Sequence, residues 1–159
     1  MAFPLTFVPK ESWAEAPRNF GARRDKGKRK HAGCDLYAPV GTPIFAVADG
    51  TVKEFRAFYL GTYALVVDHG DFIVRYGEIQ KGIAQNLAMG SKVKKGQKIG
   101  LVGKLNGLSI SMIHFEMYSG GKTGPLTDTK RPPFVRRADL VDPTSHLDTW
   151  AKEPLPTGA

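Results

Sequence analysis

Two short stretches hold residue types that could do chemistry. One is the pentapeptide His31-Ala32-Gly33-Cys34-Asp35, and the other is Ile113-His114-Phe115-Glu116, far along the chain. An imidazole and a carboxylate four residues apart, joined by a second imidazole from a distant strand, make three ligands for a zinc ion. Three protein ligands leave a fourth position open, and an open position is what a hydrolytic zinc site requires. Alternation in an extended chain puts i, i+2 and i+4 on one face. His31 and Asp35 are therefore expected to point the same way, with Gly33 leaving room between them. Cys34 points to the other face and is expected as a small core residue. In the later strand His114 shares a face with Met112 and Glu116, while Ile113, Phe115 and Met117 face a core. A histidine in such a strand is often only a buried, hydrogen-bonded imidazole. The His31/Asp35 pair tips the balance toward metal.

The elements that must carry these residues are short strands. Pro43-Ile44-Phe45-Ala46-Val47, Thr51-Val52-Lys53-Glu54-Phe55, Thr62–Val67, Phe72–Tyr76, Lys98–Val102 and Ser111–Met117 are strand-like runs between turn signals. Asp49-Gly50 is expected to be a hairpin turn between the first two. The 18 glycines and 11 prolines fit a turn-dense sheet protein. The predicted fold is mostly β: a compact antiparallel β sandwich or barrel. Residues 1–30 are expected as a basic irregular arm, 31–118 as the β core, and 119–159 as a C-terminal extension with a short helix near Pro143–Trp150. At 159 residues the whole is one domain.

Composition narrows the partners. No apolar run approaches the ~18 residues of a membrane span. The first seven residues lack the charged start and apolar stretch of a secretory signal. A single cysteine excludes an internal disulfide framework. The net charge of +8 favours an anionic partner. Much of it lies in Arg18 and the run Arg23–Lys30, just before His31, a solvated loop or a basic rim for a polyanionic substrate. No nucleic-acid motif accompanies the run, so nucleic acid is not the expected partner. Gly120-Gly121-Lys122-Thr123 lacks the upstream glycine and the helix of a phosphate-binding loop. The stretches Gly41–Val52 and Val93–Val102 suggest carrier-type hairpins without their modifiable lysine. His69 is expected in a turn and His146 at the surface.

The order of motifs resembles the lysostaphin/LytM-type zinc endopeptidases, which cleave peptide cross-links in bacterial peptidoglycan. The resemblance runs from about Phe20 to Tyr118. It includes His31-Ala32-Gly33-Cys34-Asp35-Leu36, Ala38-Pro39-Val40-Gly41-Thr42-Pro43-Ile44 and Ala46-Val47-Ala48-Asp49-Gly50-Thr51-Val52. It continues through Val66-Val67-Asp68-His69-Gly70 and Val93-Lys94-Lys95-Gly96-Gln97-Lys98-Ile99-Gly100 to His114-Phe115-Glu116. The resemblance implies an antiparallel sheet with a groove over one zinc ion held by His31, Asp35 and His114. Two departures stand out. The family's His-x-His becomes Met112-x-His114, and its Tyr-x-His becomes Tyr76-Gly77-Glu78. A carboxylate can replace a histidine as general base, so Glu78 is the expected base for a zinc-activated water. A thioether cannot donate a hydrogen bond to an oxyanion. Tyr76, on the face of Glu78 by alternation, is the expected substitute donor. Two function classes follow: a zinc endopeptidase acting on peptidoglycan, and a catalytically inactive wall-binding or structural module of the same fold. Either would work in the cell envelope, delivered by lysis, a phage tail or a secretion machine.

Overall fold

Residues 1–158 are described by a computed structural model. The chain opens with a small hairpin, β1 (Arg23–Arg24) and β2 (Arg29–Lys30), joined by a tight turn. Then follow β3 (Cys34–Tyr37), β4 (Pro43–Phe45), β5 (Gly50–Ala57), β6 (Tyr63–Asp68), β7 (Ile73–Ile79) and the single turn α1 (Gly82–Gln85). The last elements are β8 (Lys92–Val93), β9 (Lys98–Leu101), β10 (Met112–Tyr118), β11 (Leu140–Val141) and α2 (Thr144–Trp150). The main sheet has the order β11-β10-β7-β6-β5-β8, and every pairing in it is antiparallel. β3 pairs with the first half of β10, on the edge away from β7. β4 and β9 form a separate two-stranded sheet. The mostly β, antiparallel architecture is the one the sequence predicts.

β10 is the central strand of the site, and its side chains divide as alternation requires. Ile113, Phe115 and Met117 enter the main core with Leu36, Leu65, Val67 and Val74. Met112, His114, Glu116 and Tyr118 take the opposite face. Cys34 is fully buried in the core, where burial pushes its thiol up to about 11. It is no ligand.

Two expectations about the elements change. Asp49-Gly50 is not a hairpin turn. β4 pairs with β9, whereas β5 pairs with β6 and β8. Glycine is needed at position 50 for closeness rather than for turn geometry, because a Cβ there would stand 2.7 Å from the Asp68 carbonyl oxygen. Residues 1–30, expected to be irregular, contain the β1–β2 hairpin and supply Phe3, Leu5 and Trp13 to the core. Trp13 Nε1–H also donates to Asp148 of α2 at 3.0 Å. The two ends of the chain thus pack on the same body. No helix among the described residues is long and apolar enough to cross a membrane.

Candidate metal centre

Strand register builds the first half of the site. His114 of β10 lies directly opposite Asp35 of β3. Their side chains meet at 3.1 Å, His114 Nδ1 to Asp35 Oδ1. His31 arrives differently from the extended run predicted for it. β3 begins only at Cys34, and His31 sits before it, fixed by backbone bonds from its N–H to Ala22 O and from Gly21 N–H to its carbonyl. Gly33 permits the bend that follows. A Cβ at that position would collide with the carbonyl oxygen of Phe115. His31 Nε2 then stands 3.0 Å from Asp35 Oδ1 and 3.1 Å from His114 Nδ1. All three residues are buried.

This triangle fits a small tetrahedral cation. Bonds of ~2.0–2.1 Å put neighbouring ligand atoms about 3.3 Å apart. Partners on the far side of each ring aim the donor lone pairs inward. His31 Nδ1–H donates to the Asn19 carbonyl at 2.9 Å, leaving Nε2 free to ligate. His114 Nε2–H donates to Glu116 Oε2 at 2.9 Å, leaving Nδ1 free. Such outer partners fix tautomer and ring orientation in metal sites. Burial raises the Asp35 carboxyl, but without an ion, when His31 Nε2 and His114 Nδ1 carry protons toward it, the two imidazoles outweigh burial and hold the group below the ordinary range.

Glu116 is fully buried and accepts from every side. Arg75 Nη2 lies 3.1 Å from Oε1, Arg136 Nε 2.8 Å from Oε1, and the Tyr118 hydroxyl donates at 2.6 Å. Burial opposes its ionisation. His114, Arg75 and Arg136 overcome that and hold the carboxyl well below its ordinary value. The sequence predicts that Glu116 shares a face with His114, but not the arginines that hold it. Arg75 is legible as the i−41 neighbour only through the pairing of β7 with β10. Arg136 lies in the C-terminal extension, where no motif marks it.

Glu78 reaches the site through a bulge. In the β6–β7 pair, Leu65 faces Tyr76 and Tyr63 faces Ile79. Gly77 and Glu78 together oppose the one residue between, and Glu78 takes φ +64°. Gly77 lies opposite His114 on β10, and a Cβ there would meet the Phe58 ring at 2.7 Å. The Glu78 carboxylate lines the same groove as His31, Asp35 and His114. Its Oε2 is buried and has no hydrogen-bond partner. Burial, reinforced by the charge of Asp35 and opposed by His114, raises the carboxyl to about 7.

The same bulge removes Tyr76 from the site, which corrects its expected role. Alternation fails across two residues facing one, so Tyr76 turns into the core and is fully buried there. Its phenol accepts from Val47 N–H at 3.1 Å and donates to His69 Nε2 at 3.0 Å. Burial carries its pKa far above the ordinary phenol value. Met112 is where the sequence suggests, buried on the groove wall. The groove encloses about 620 Å³ and is walled further by Arg24, Phe58, Tyr59, Leu108 and Phe134. Among the other histidines, His69 closes the turn before β7, with Nδ1–H donating to Asp49 O at 3.0 Å, and His146 lies against the Trp150 ring.

Residues 29–125 match the model of Peptidase family M23. The chain belongs to that family. The match spans both imidazole-bearing stretches and Glu78. Peptidoglycan DD-endopeptidase ShyA of Vibrio cholerae serotype O1 is 32% identical over 120 residues, covering 72% of this chain and 27% of that protein. The chain spans about a quarter of the length of ShyA and of the DD-endopeptidases ShyB and ShyC of the same organism. Among solved structures, LytU superposes with a TM-score of 0.63 at 25% identity, covering 91% of this chain and 97% of that one. The catalytic domain of lysostaphin from Staphylococcus simulans superposes with a TM-score of 0.57 at 23% identity, covering 81% and 88%. The fold of this M23 chain is thus of the lysostaphin type.

Proposed function

We propose that the protein is a zinc-dependent endopeptidase that cleaves peptide cross-links of bacterial peptidoglycan in the cell envelope. The observation that carries this reading is the convergence of His31 Nε2, Asp35 Oδ1 and His114 Nδ1 within 3.1 Å of one another, in a groove that also holds Glu78. Membership of the M23 family and similarity to the peptidoglycan DD-endopeptidase ShyA support the substrate class. His31, Asp35 and His114 would hold one zinc ion, which when bound polarises the scissile carbonyl and acidifies a water.

The remaining work falls to this chain's own groups. Glu78 acts as general base. Its unpartnered Oε2 takes the proton of the attacking water, and the same carboxyl returns that proton to the departing amine. A buried carboxylate without a hydrogen-bond partner is free to make both transfers. Phe58, Tyr59 and Leu108 line the groove with apolar surface that limits water around the reacting groups.

The test has two parts. Metal analysis of the purified protein should give about one zinc per chain. Wild type should release new amino termini from purified sacculi, and Glu78→Gln should lose activity on the order of 10²-fold or more while keeping its zinc. A wild type that frees no termini from any wall preparation would defeat the peptidase reading. A fully active Glu78→Gln would leave the peptidase and remove the base.

A further inference from the structure

The net charge of this protein is not spread over its surface. Segments 23–30 and 128–137 contain ten Lys and Arg against two Asp, a net +8. That equals the net charge of the whole chain, so the rest of the molecule carries equal numbers of each sign. The fold brings these two distant segments side by side. Lys30 N–H donates to the Pro133 carbonyl at 2.9 Å, and the rings of Phe20 and Phe134 stack with centroids 4.9 Å apart. Beside that seam lies a second cavity of about 380 Å³, bordered by Lys130 and Arg131. Phe134 and Arg136 border both this cavity and the main groove. The cationic face is therefore continuous with the site.

Some of these cations are committed internally. Arg136 holds Glu116, Arg137 holds Asp139, and Arg29 pairs with Asp25. Lys26, Lys28, Lys130 and Arg131 are exposed, and among the described residues their side chains have no ion-pair or hydrogen-bond partner. Unpaired charges of one sign beside a groove raise the local concentration of oppositely charged polymer.

We infer that the joined segments 23–30 and 128–137 form an exosite for carboxylate-bearing peptide strands of the wall, holding the polymer beside the groove that cuts it. The inference rests on the proposed substrate and adds a second contact to it. Continuity with the groove argues for the substrate polymer itself over an unrelated polyanion. An exosite of this kind lowers KM for polymer without changing turnover of a short peptide.

The experiment compares wild type with Lys26→Glu/Lys28→Glu/Lys130→Glu/Arg131→Glu, whose four positions are exposed and outside the site. Wild type should sediment with sacculi at low ionic strength and be released near 1 M salt, where the screening length falls to ~3 Å. The variant should lose retention and show a KM for sacculi about tenfold higher or more, with turnover of a soluble stem peptide unchanged. Sacculi stripped of attached phosphate polymers should still retain wild type, and sacculi with carboxylates blocked as amides should not. Equal retention of variant and wild type overturns the exosite. So does binding that vanishes with the phosphate polymers, or tighter binding to duplex DNA or anionic vesicles than to sacculi. Should the four-site variant misfold, Lys130→Gln/Arg131→Gln gives the same comparison in milder form. Salt-sensitive retention without hydrolysis would end the peptidase reading and leave the exosite standing.

Discussion

At the scale of single residues, the centre is a set of groups that each need a second group to be useful. His114 can offer Nδ1 inward only while its other nitrogen is occupied, and Glu116 occupies it at 2.9 Å. Glu116→Gln keeps the shape but removes the charge that two arginines and a tyrosine surround. The loss of such an outer partner typically costs ~10–100-fold in metal affinity. Chelator competition on Glu116→Gln should show a loss in that range, and a cobalt-substituted sample should show a shifted visible spectrum. Met112 presents the opposite case, a position on the groove wall filled by a side chain that cannot donate. One oxyanion donor is worth ~3–4 kcal/mol in the transition state. Met112→His should therefore raise kcat on sacculi, by up to about 10²-fold where the imidazole reaches the developing oxyanion. The motif residues themselves are legible in the sequence because His31, Asp35 and His114 are polar groups set in runs whose other face is apolar. Their supporting partners are not, since a backbone carbonyl at Asn19 and a side chain at Arg136 become neighbours only through the fold.

At the scale of elements, strand existence follows from alternation, while strand pairing and bulges do not. Ile113, Phe115 and Met117 announce β10, and its core face is where the pattern puts it. The Gly77-Glu78 bulge has no comparable sign. A glycine that accepts the Phe58 ring and a glutamate at φ +64° look, in sequence, like two ordinary strand residues. That single extra residue sends Tyr76 to the core and leaves Glu78 at the groove. The turn before β7 depends on the same tyrosine. His69 donates to Asp49 O through Nδ1 and accepts from Tyr76 through Nε2, so it must be neutral. Burial accordingly lowers its pKa below the ordinary 6.5. The unfolded chain then takes up a proton below pH 6.5 that the folded chain resists. The stabilisation from neutral His69 is complete above 6.5 and disappears as pH falls from 6.5 through the lowered folded value. Denaturant titrations should show wild type losing stability across that interval, and His69→Gln should remove that part of the slope.

At the scale of the whole molecule, the three proposed ligands come from three separately held pieces. His31 hangs on the segment around Gly21 and Ala22, Asp35 belongs to β3, and His114 to β10 in the middle of the sheet. The N-terminal segment is also anchored through Phe3, Leu5 and Trp13 in the core, so it would not detach when the ion leaves. A cation bound only by the folded form stabilises it by RT ln(1 + [L]/Kd), about 4 kcal/mol at a thousandfold excess over Kd. For a chain of this size each kcal/mol moves Tm by roughly 2–4 °C. Chelation should then lower Tm by roughly 8–16 °C while leaving a cooperative transition, because the core itself contains none of the ligands. Calorimetry with and without chelator measures this directly. Asp35→Asn supplies the control, since it should begin at a lower Tm and lose its sensitivity to chelator. An unchanged wild-type Tm would mean that the three donors meet without binding an ion tightly enough to stabilise the fold.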